Sequence, residues 1–178
     1  RNAQLIPRLA RRIVDAHFPD SLQQDVLEAV GLPLEDSGQR PDEPEKRKRD
    51  ASFRPRILLA YEYRCCVCGH DLRLMGQVVG LDAAHIKWFQ AGGPDVEPNG
   101  LALCSLHHKL FDLGVFAVLP EGYTMVVSQH VTGGDQAKGR MLTYHGAGLI
   151  LPQSKSYLPS AEYLEWHKKE VFKTPQRE

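Results

Sequence analysis

Two Cys/His pairs carry the clearest chemistry in this sequence. Cys65-x-x-Cys68 and Cys104-x-x-His107 have 35 residues between them. Thiolates and imidazole are the ligands that zinc prefers, and four of them close a tetrahedral structural site. We therefore expect a structural Zn²⁺ here, with no open position for catalysis. The alternative is a set of reduced core cysteines that includes a chance Cys-x-x-Cys.

Three polar residues lie between or beside these pairs and follow one another as His, Asn and His. His85 comes late in a predicted strand, Asn99 in a loop, and His108 on a predicted helix next to His107. Each also has a structural interpretation: a partly buried histidine, an Asn-Gly hairpin turn and a surface histidine. Because all three fall within one zinc-clamped segment, we interpret them together as a candidate catalytic site.

In this order the residues resemble the HNH, or ββα-metal, nucleases, whose pattern is a strand-end His, a loop Asn and a helix His, often flanked by Cys-x-x-Cys pairs. The resemblance covers residues 61–113. A longer likeness resembles the catalytic part of bacterial modification-dependent restriction endonucleases, in particular the group that cuts phosphorothioated DNA. It is carried by segments 61–65, 82–88, 91–95, 99–112 and 166–167.

The resemblance implies a role for each site residue. His85 is the general base, since a neutral imidazole near pH 7 suits that task. Asn99 holds the His85 loop by hydrogen bonds, and His108 binds one catalytic ion, Mg²⁺ or Mn²⁺. Many family members place a metal ligand directly before the base, where this chain has Ala84. Asp82 lies two residues before Ala84 and is the expected second metal ligand.

The resemblance also implies a fold and partners. We expect an α+β fold with a ββα-metal core, a zinc knuckle, flanking short strands and helices, and an N-terminal helical hairpin. The expected substrate is DNA, phosphorothioated in the group named above, with a recognition domain upstream of this chain. We also expect a homodimer that forms through the hairpin, no membrane association, and a location in the bacterial cytoplasm.

The charge balance limits how DNA is held. Lys plus Arg and Asp plus Glu number 22 each, so the formal net charge is zero. A chain that binds nucleic acid by charge alone is basic, which excludes that mode. Local patches or a partner domain must serve instead, and the candidate contacts nearest the site in sequence are Lys87, Lys109 and Arg73. No apolar run approaches the roughly 20 residues that a membrane helix needs.

Apolar spacing divides the chain into three parts. We expect a helical hairpin at 1–33, a flexible linker at 34–52 and the nuclease domain at 53–178. Ser21 is the expected N-cap of the second helix. The linker ends in a basic run, 46–49, which is either a solvated segment or an arm that contacts phosphates.

The remaining predictions concern secondary structure. We expect strands at 77–89, 101–104, 115–119 and 123–128, and helices at 53–63, 105–113 and 160–172. A loop is expected at 131–140, and short strands are expected within 142–151.

Two other functions share these residues. A zinc-stabilised DNA-binding or interaction module without catalysis needs the zinc ligands but neither His85 nor His108. An RNA-directed or homing-type nuclease has the same site and differs only in substrate.

Overall fold

The computed structural model describes residues 5–32 and 50–178 of the chain. Short helices and two-residue to five-residue strands alternate along these two ranges, in the following order. The elements are α1 (Leu5–His17), α2 (Asp20–Ala29), α3 (Phe53–Ala60), β1 (Arg73–Leu74), β2 (Gln77–Val78), β3 (Leu81–His85), β4 (Gly100–Cys104), α4 (Ser105–Asp112), β5 (Phe116–Leu119), β6 (Thr124–Val127), α5 (Asp135–Leu142) and α6 (Ala161–Glu170).

The centre of the molecule is a ββα unit. Strand β3 pairs antiparallel with β4, so that Leu81 faces Cys104 and His85 faces Gly100. All five residues of β4 are buried, and α4 follows the strand without a connecting loop. A Cβ on Gly100 would lie 2.2 Å from Cδ1 of Ile57, so only glycine lets β4 approach α3 this closely. The α+β fold with a ββα core is confirmed.

A single apolar core holds this unit together. Phe111 of α4, Phe116 of β5 and Leu164 of α6 are among its fully buried side chains, together with Ile57 of α3. Strands β5 and β6 form the second hairpin at the expected place, with Phe116 opposite Val127. Helix α6 packs on β5, as expected for the amphipathic C-terminal segment.

The structure differs from the sequence predictions in three places. The single strand expected at 77–89 is two strands, β2 and β3, because Gly80 turns the chain at φ +66, and β3 ends at His85. Helix α5 occupies most of the predicted loop 131–140. Its only buried residue is Met141, so its sequence carries little helical periodicity. Within 142–151 an isolated bridge, Thr124 to Gly148, replaces the expected strands.

The N-terminal helices form the expected hairpin, and α2 packs against α4. Ser21 is not the N-cap of α2, because that helix already begins at Asp20. The Ser21 hydroxyl instead donates to the Asp112 carboxylate. The basic run 46–49 lies outside the described residues, and the domain limits stay predictions. No helix in the two described ranges is long and apolar enough to cross a membrane. The cytoplasmic location stays a prediction.

Candidate active site and metal knuckle

The four expected zinc ligands converge on one point, which we call the knuckle: Cys65, Cys68, Cys104 and His107. One donor atom from each lies within 4.8 Å of the other three. Nδ1 of His107 is 3.2 Å from Sγ of Cys104 and 3.6 Å from Sγ of Cys65, and the Cys68 and Cys104 sulfurs are 3.9 Å apart. Ligands of a tetrahedral zinc site, at about 2.0–2.3 Å from the ion, are roughly 3.5–3.8 Å from one another. The donor set and its spacing therefore fit a zinc ion.

Electrostatics within the knuckle favour a thiolate. Hydrogen bonds from Cys65 and then from His107 lower the pKa of the Cys104 thiol, while the bond to Cys104 and burial raise the pKa of Cys65. A preformed thiolate is what a cation would bind. Cys66 is fully buried beside the knuckle, and burial raises the pKa of its thiol, so it stays protonated and is not part of the donor set.

The predicted base and metal ligands lie at a different place, a cleft of about 430 Å³, whereas Asn99 is not in its wall. His85, His108 and Asp82 all line it. Its wall also includes the start of α2, Phe53 and Arg54 of α3, and the loop after β3. The cleft contains five carboxylates and one arginine, and these charged side chains are Asp20, Asp50, Asp82, Asp95, Asp112 and Arg54. An excess of carboxylates suits a divalent cation better than a bare phosphate.

His85 is held on two sides. Its ring stacks on Phe53 with centroids 4.1 Å apart and planes 15° apart, and Phe89 packs at a tilt 6.0 Å away. Nε2 of His85 lies 2.7 Å from Oδ1 of Asp95. The imidazole is therefore fixed in the cleft wall rather than free to rotate.

Asn99 is fully buried, and its side-chain amide forms hydrogen bonds with the loop between β3 and β4. Its Oδ1 accepts from the backbone N–H of Lys87, and its Nδ2 donates to the carbonyls of Lys87 and Pro94. A Cβ on Gly93 would meet the Lys87 carbonyl oxygen at 1.8 Å, so the loop closes tightly around the amide. Asn99 sits at the end of a 3-10 helix, Glu97–Asn99, and not in a two-residue hairpin turn.

His108 lies between two carboxylates. Its Nδ1 is 3.9 Å from Oδ2 of Asp82, and its Nε2 is 3.4 Å from Oδ2 of Asp112, one helical turn further along α4. Asp82 is half exposed and also pairs through Oδ1 with Arg54 at 2.8 Å. Asp112 is buried, and burial raises the pKa of its carboxyl group. The carboxylate oxygens of Asp82 and Asp112 are the ligand type that a hard divalent ion prefers, and the His108 imidazole beside them adds a nitrogen donor.

The three basic residues expected to contact DNA are not in the cleft wall. Lys109 pairs with Asp25 of α2 at 2.5 Å. Arg73 lies over the Tyr63 ring, 5.3 Å from its centroid, on the β1–β2 hairpin. Lys87 contributes its backbone to Asn99. Their contact with DNA stays a prediction, whereas Arg54, which sequence reasoning missed, does line the cleft.

Asp95 and Asp112 are the other residues that sequence reasoning missed. Asp112 could have been found, since it lies four residues after His108 and so on the same helix face. Asp95 lies in a loop, where no periodicity predicts which side chain turns inward. Trp88 and Phe89 line the cleft, and Trp88 packs edge-on against Trp166 with centroids 5.9 Å apart.

Comparisons with known proteins agree with this architecture. Residues 65–119 match the family model described as HNH endonuclease. Among solved structures, the chain is similar to a "Modification dependent TagI restriction endonuclease", with a TM-score of 0.51 and 21% identity over 71% of this chain. The match spans 40% of that chain. No curated protein matches. Residues 65–119 are therefore similar to the HNH endonuclease family, and the chain shares its fold with part of that restriction endonuclease.

Proposed function

We propose that this chain is a metal-dependent DNA endonuclease that hydrolyses phosphodiester bonds. The observation that carries the proposal is the cleft, where His85, His108 and Asp82 meet at the end of the ββα unit. Hydrolysis needs a base for the attacking water and a cation for the charge on the phosphate and the leaving oxygen. The fixed imidazole offers the first, and the carboxylate-rich wall offers ligands for the second.

Each residue has one task in the proposal. His85 takes the proton of the attacking water. Asn99 keeps the loop after β3 folded, so that the His85 ring stays on Phe53. His108 and Asp82 hold the catalytic ion, Mg²⁺ or Mn²⁺. When bound, such an ion supplies positive charge for the developing negative charge of the transition state.

The ion at the knuckle is proposed to be zinc with a structural role. The three thiols and one imidazole have the separations expected of a closed four-ligand site, which leaves no position for substrate. The knuckle ties the turn at 65–68 to the start of α4, where the core has no other covalent link. Cys65 and Cys66 are buried in the core but Cys68 is exposed, so a metal ion would hold the exposed end of the turn.

The finer substrate proposal is a phosphorothioated DNA site read by a recognition domain outside this chain. Two facts support it: the similarity to a modification-dependent enzyme, and the neutral charge, which gives little sequence-independent affinity. The test compares cleavage of phosphorothioated and unmodified duplexes of one sequence by the full-length protein. Equal cleavage of both duplexes would refute the dependence.

We propose further that two copies act together, since one such site cuts one strand. Ile6, Leu9 and Ile13 form an exposed apolar stripe on α1, with exposed fractions of 65%, 57% and 49%. Replacing all three by Ser should halve the mass measured by light scattering. A Leu72→Ser and Leu74→Ser double variant, which removes exposed apolar groups from the β1–β2 hairpin, should leave the mass unchanged. A monomeric wild-type chain would refute the dimer.

The nuclease is tested by plasmid nicking with Mn²⁺, comparing the wild-type chain with His85→Ala. The matched control is His130→Ala, because His130 is an exposed histidine outside the cleft. We expect the wild type and the control to nick and His85→Ala to lose about 10²–10⁴-fold in rate. Zinc content and melting temperature establish that all three chains are folded. Equal nicking by all three would refute the role of His85.

The alternative is a zinc-stabilised DNA-binding or interaction module without catalysis. It predicts DNA retention in a gel-shift assay but no nicking with Mg²⁺ or Mn²⁺, on plain or phosphorothioated DNA. The location in the bacterial cytoplasm is part of the same proposal as the restriction role.

A further inference from the structure

In the cleft, His85 contacts a residue that has no place in the proposed roles. Nε2 of His85 and Oδ1 of Asp95 are 2.7 Å apart, and the two side chains are 15% and 11% exposed. A carboxylate only accepts hydrogen bonds, so the proton of this bond resides on Nε2 of the ring. In the neutral imidazole the lone pair is then on Nδ1.

Asp95 is itself held in place by α3 and the residues before it. Its Oδ2 accepts from the backbone N–H of Asp50 at 2.9 Å. Its carbonyl oxygen accepts from Arg56 of α3 at 2.6 Å, and the same guanidinium pairs with Glu97 at 2.9 Å. Because Phe53 also belongs to α3, one helix fixes both the backbone of Asp95 and the aromatic surface that contacts the His85 ring.

We infer that Asp95 is a positioning residue for the proposed base. The inference rests on the proposed nuclease function. Asp95 selects the tautomer with the proton on Nε2, so that Nδ1 accepts a proton from the attacking water. In that step the water oxygen bonds to phosphorus, the ester P–O bond breaks, and the leaving oxygen takes a proton from solvent. The carboxylate also stabilises the imidazolium that forms on His85.

A buried ion pair that only stabilises the loop is the competing explanation. It predicts that any substitution which keeps the fold also keeps the rate. A positioning role predicts that the chemical nature of the group at position 95 matters, even when shape is conserved. Asp95→Asn separates the two explanations, because an amide nitrogen turned toward Nε2 would favour the opposite tautomer.

The kinetic experiment measures single-turnover cleavage and DNA Kd for the wild type, Asp95→Asn and Asp95→Glu. Asp71→Asn is the control, since Asp71 is an exposed aspartate on the knuckle side of the molecule and its substitution makes the same charge change. We expect Asp95→Asn to lose about 10²–10⁴-fold in rate, as orienting carboxylates do in related acid–base pairs, with Kd changed less than about threefold. Asp95→Glu, which keeps the carboxylate, should cleave faster than Asp95→Asn and more slowly than the wild type. A wild-type rate for folded Asp95→Asn would overturn the inference.

A second measurement does not depend on activity. Long-range ¹H–¹⁵N correlation spectra of the histidine rings report the tautomer directly. We expect the proton on Nε2 of His85 in the wild type, and a shift toward Nδ1 in Asp95→Asn. A wild-type ring protonated on Nδ1 would overturn the inference whatever the rates are. A wild type with the expected tautomer that cuts no DNA with either ion would refute the proposed nuclease and leave the pairing as a structural contact.

Discussion

The knuckle and the cleft lie on different faces of one helix, α4, and they are assembled in different ways. In the knuckle, donor atoms from two short sequence pairs converge on one point. In the cleft, side chains come from α2, α3, β3, α4 and the loop before β4, and contacts between different elements, such as His85–Asp95 and Arg54–Asp82, orient them. The difference teaches that a metal-ligand set can be predicted from spacing, whereas a catalytic arrangement depends on the contacts that orient it.

The largest effect we expect comes from removing a knuckle ligand, with Cys68→Ala and Cys66→Ala as a matched pair. If only packing mattered, Cys66→Ala would lower the free energy of unfolding more than Cys68→Ala, because Cys66 is fully buried. The loss for Cys66→Ala would be about 1–2 kcal/mol. The zinc proposal predicts the reverse order, because Cys68→Ala removes a ligand on which folding depends. Urea unfolding together with bound-zinc analysis decides between them. A Cys68→Ala chain as stable as Cys66→Ala would refute the structural metal.

We expect the next largest effect from Asn99→Ala, in the loop behind the cleft. The change leaves a backbone N–H and two carbonyls of the loop without their amide partner in a buried site. That should cost roughly 2–4 kcal/mol of unfolding free energy. Gln153→Ala removes one exposed hydrogen bond, from the Gln153 side-chain amide to the Leu59 carbonyl oxygen. It should lower the free energy of unfolding by less than about 0.5 kcal/mol. If the two variants unfold at the same urea concentration, Asn99 does not stabilise the loop.

His167 lies outside both sites and gives a pH test of the core that supports them. It is fully buried, stacks on Phe111 at 3.7 Å and contacts the Phe111 carbonyl oxygen through Nε2 at 3.1 Å. Burial lowers the pKa of His167 to about 3. The unfolded chain, with an ordinary histidine pKa of about 6.5, therefore binds more protons between pH 3 and 6.5.

Stability from His167 is thus fully present above about pH 6.5 and is lost as the pH falls toward 3. We expect a loss near 2 kcal/mol from this group between pH 7 and pH 5. His167→Gln cannot titrate, so its unfolding free energy should change less over this interval, even if it is lower throughout. Knuckle ligands also titrate in acid, and for that reason the prediction concerns the difference between the two chains. Parallel pH curves would contradict it.

The smallest effect we expect concerns which face meets DNA. Arg54→Ala should weaken DNA binding by about 1 kcal/mol and lower the salt dependence by about one counterion, because Arg54 lines the cleft. Arg73→Ala, on the β1–β2 hairpin, is the matched loss of one guanidinium. Equal weakening by both variants would place DNA across the hairpin as well as the cleft. Gel-shift titrations at two salt concentrations measure this.

The sequence predicts the parts of this molecule whose interactions are local. Spacing alone finds all four knuckle residues, and a short strand followed directly by a helix locates β4 and α4, whereas β3 is predicted only within a longer strand, 77–89. Asp95 and Arg54 escape prediction, because their partners lie on other elements and only the folded loop brings them to His85 and Asp82. Ser21 is mispredicted for the same reason: its hydroxyl has a distant acceptor, Asp112, in place of its own helix.

His107 faces the knuckle and His108 faces the cleft, although the two are consecutive residues of α4. Successive side chains on an α-helix are separated by about 100° of rotation. The rotational position of α4 therefore sets the orientations of His107 and His108 together. Inserting one residue between Cys104 and His107 would turn the whole of α4 and misalign both sites together. Any engineered replacement for the knuckle must therefore conserve the rotational phase of this helix, and stability alone is an insufficient design target.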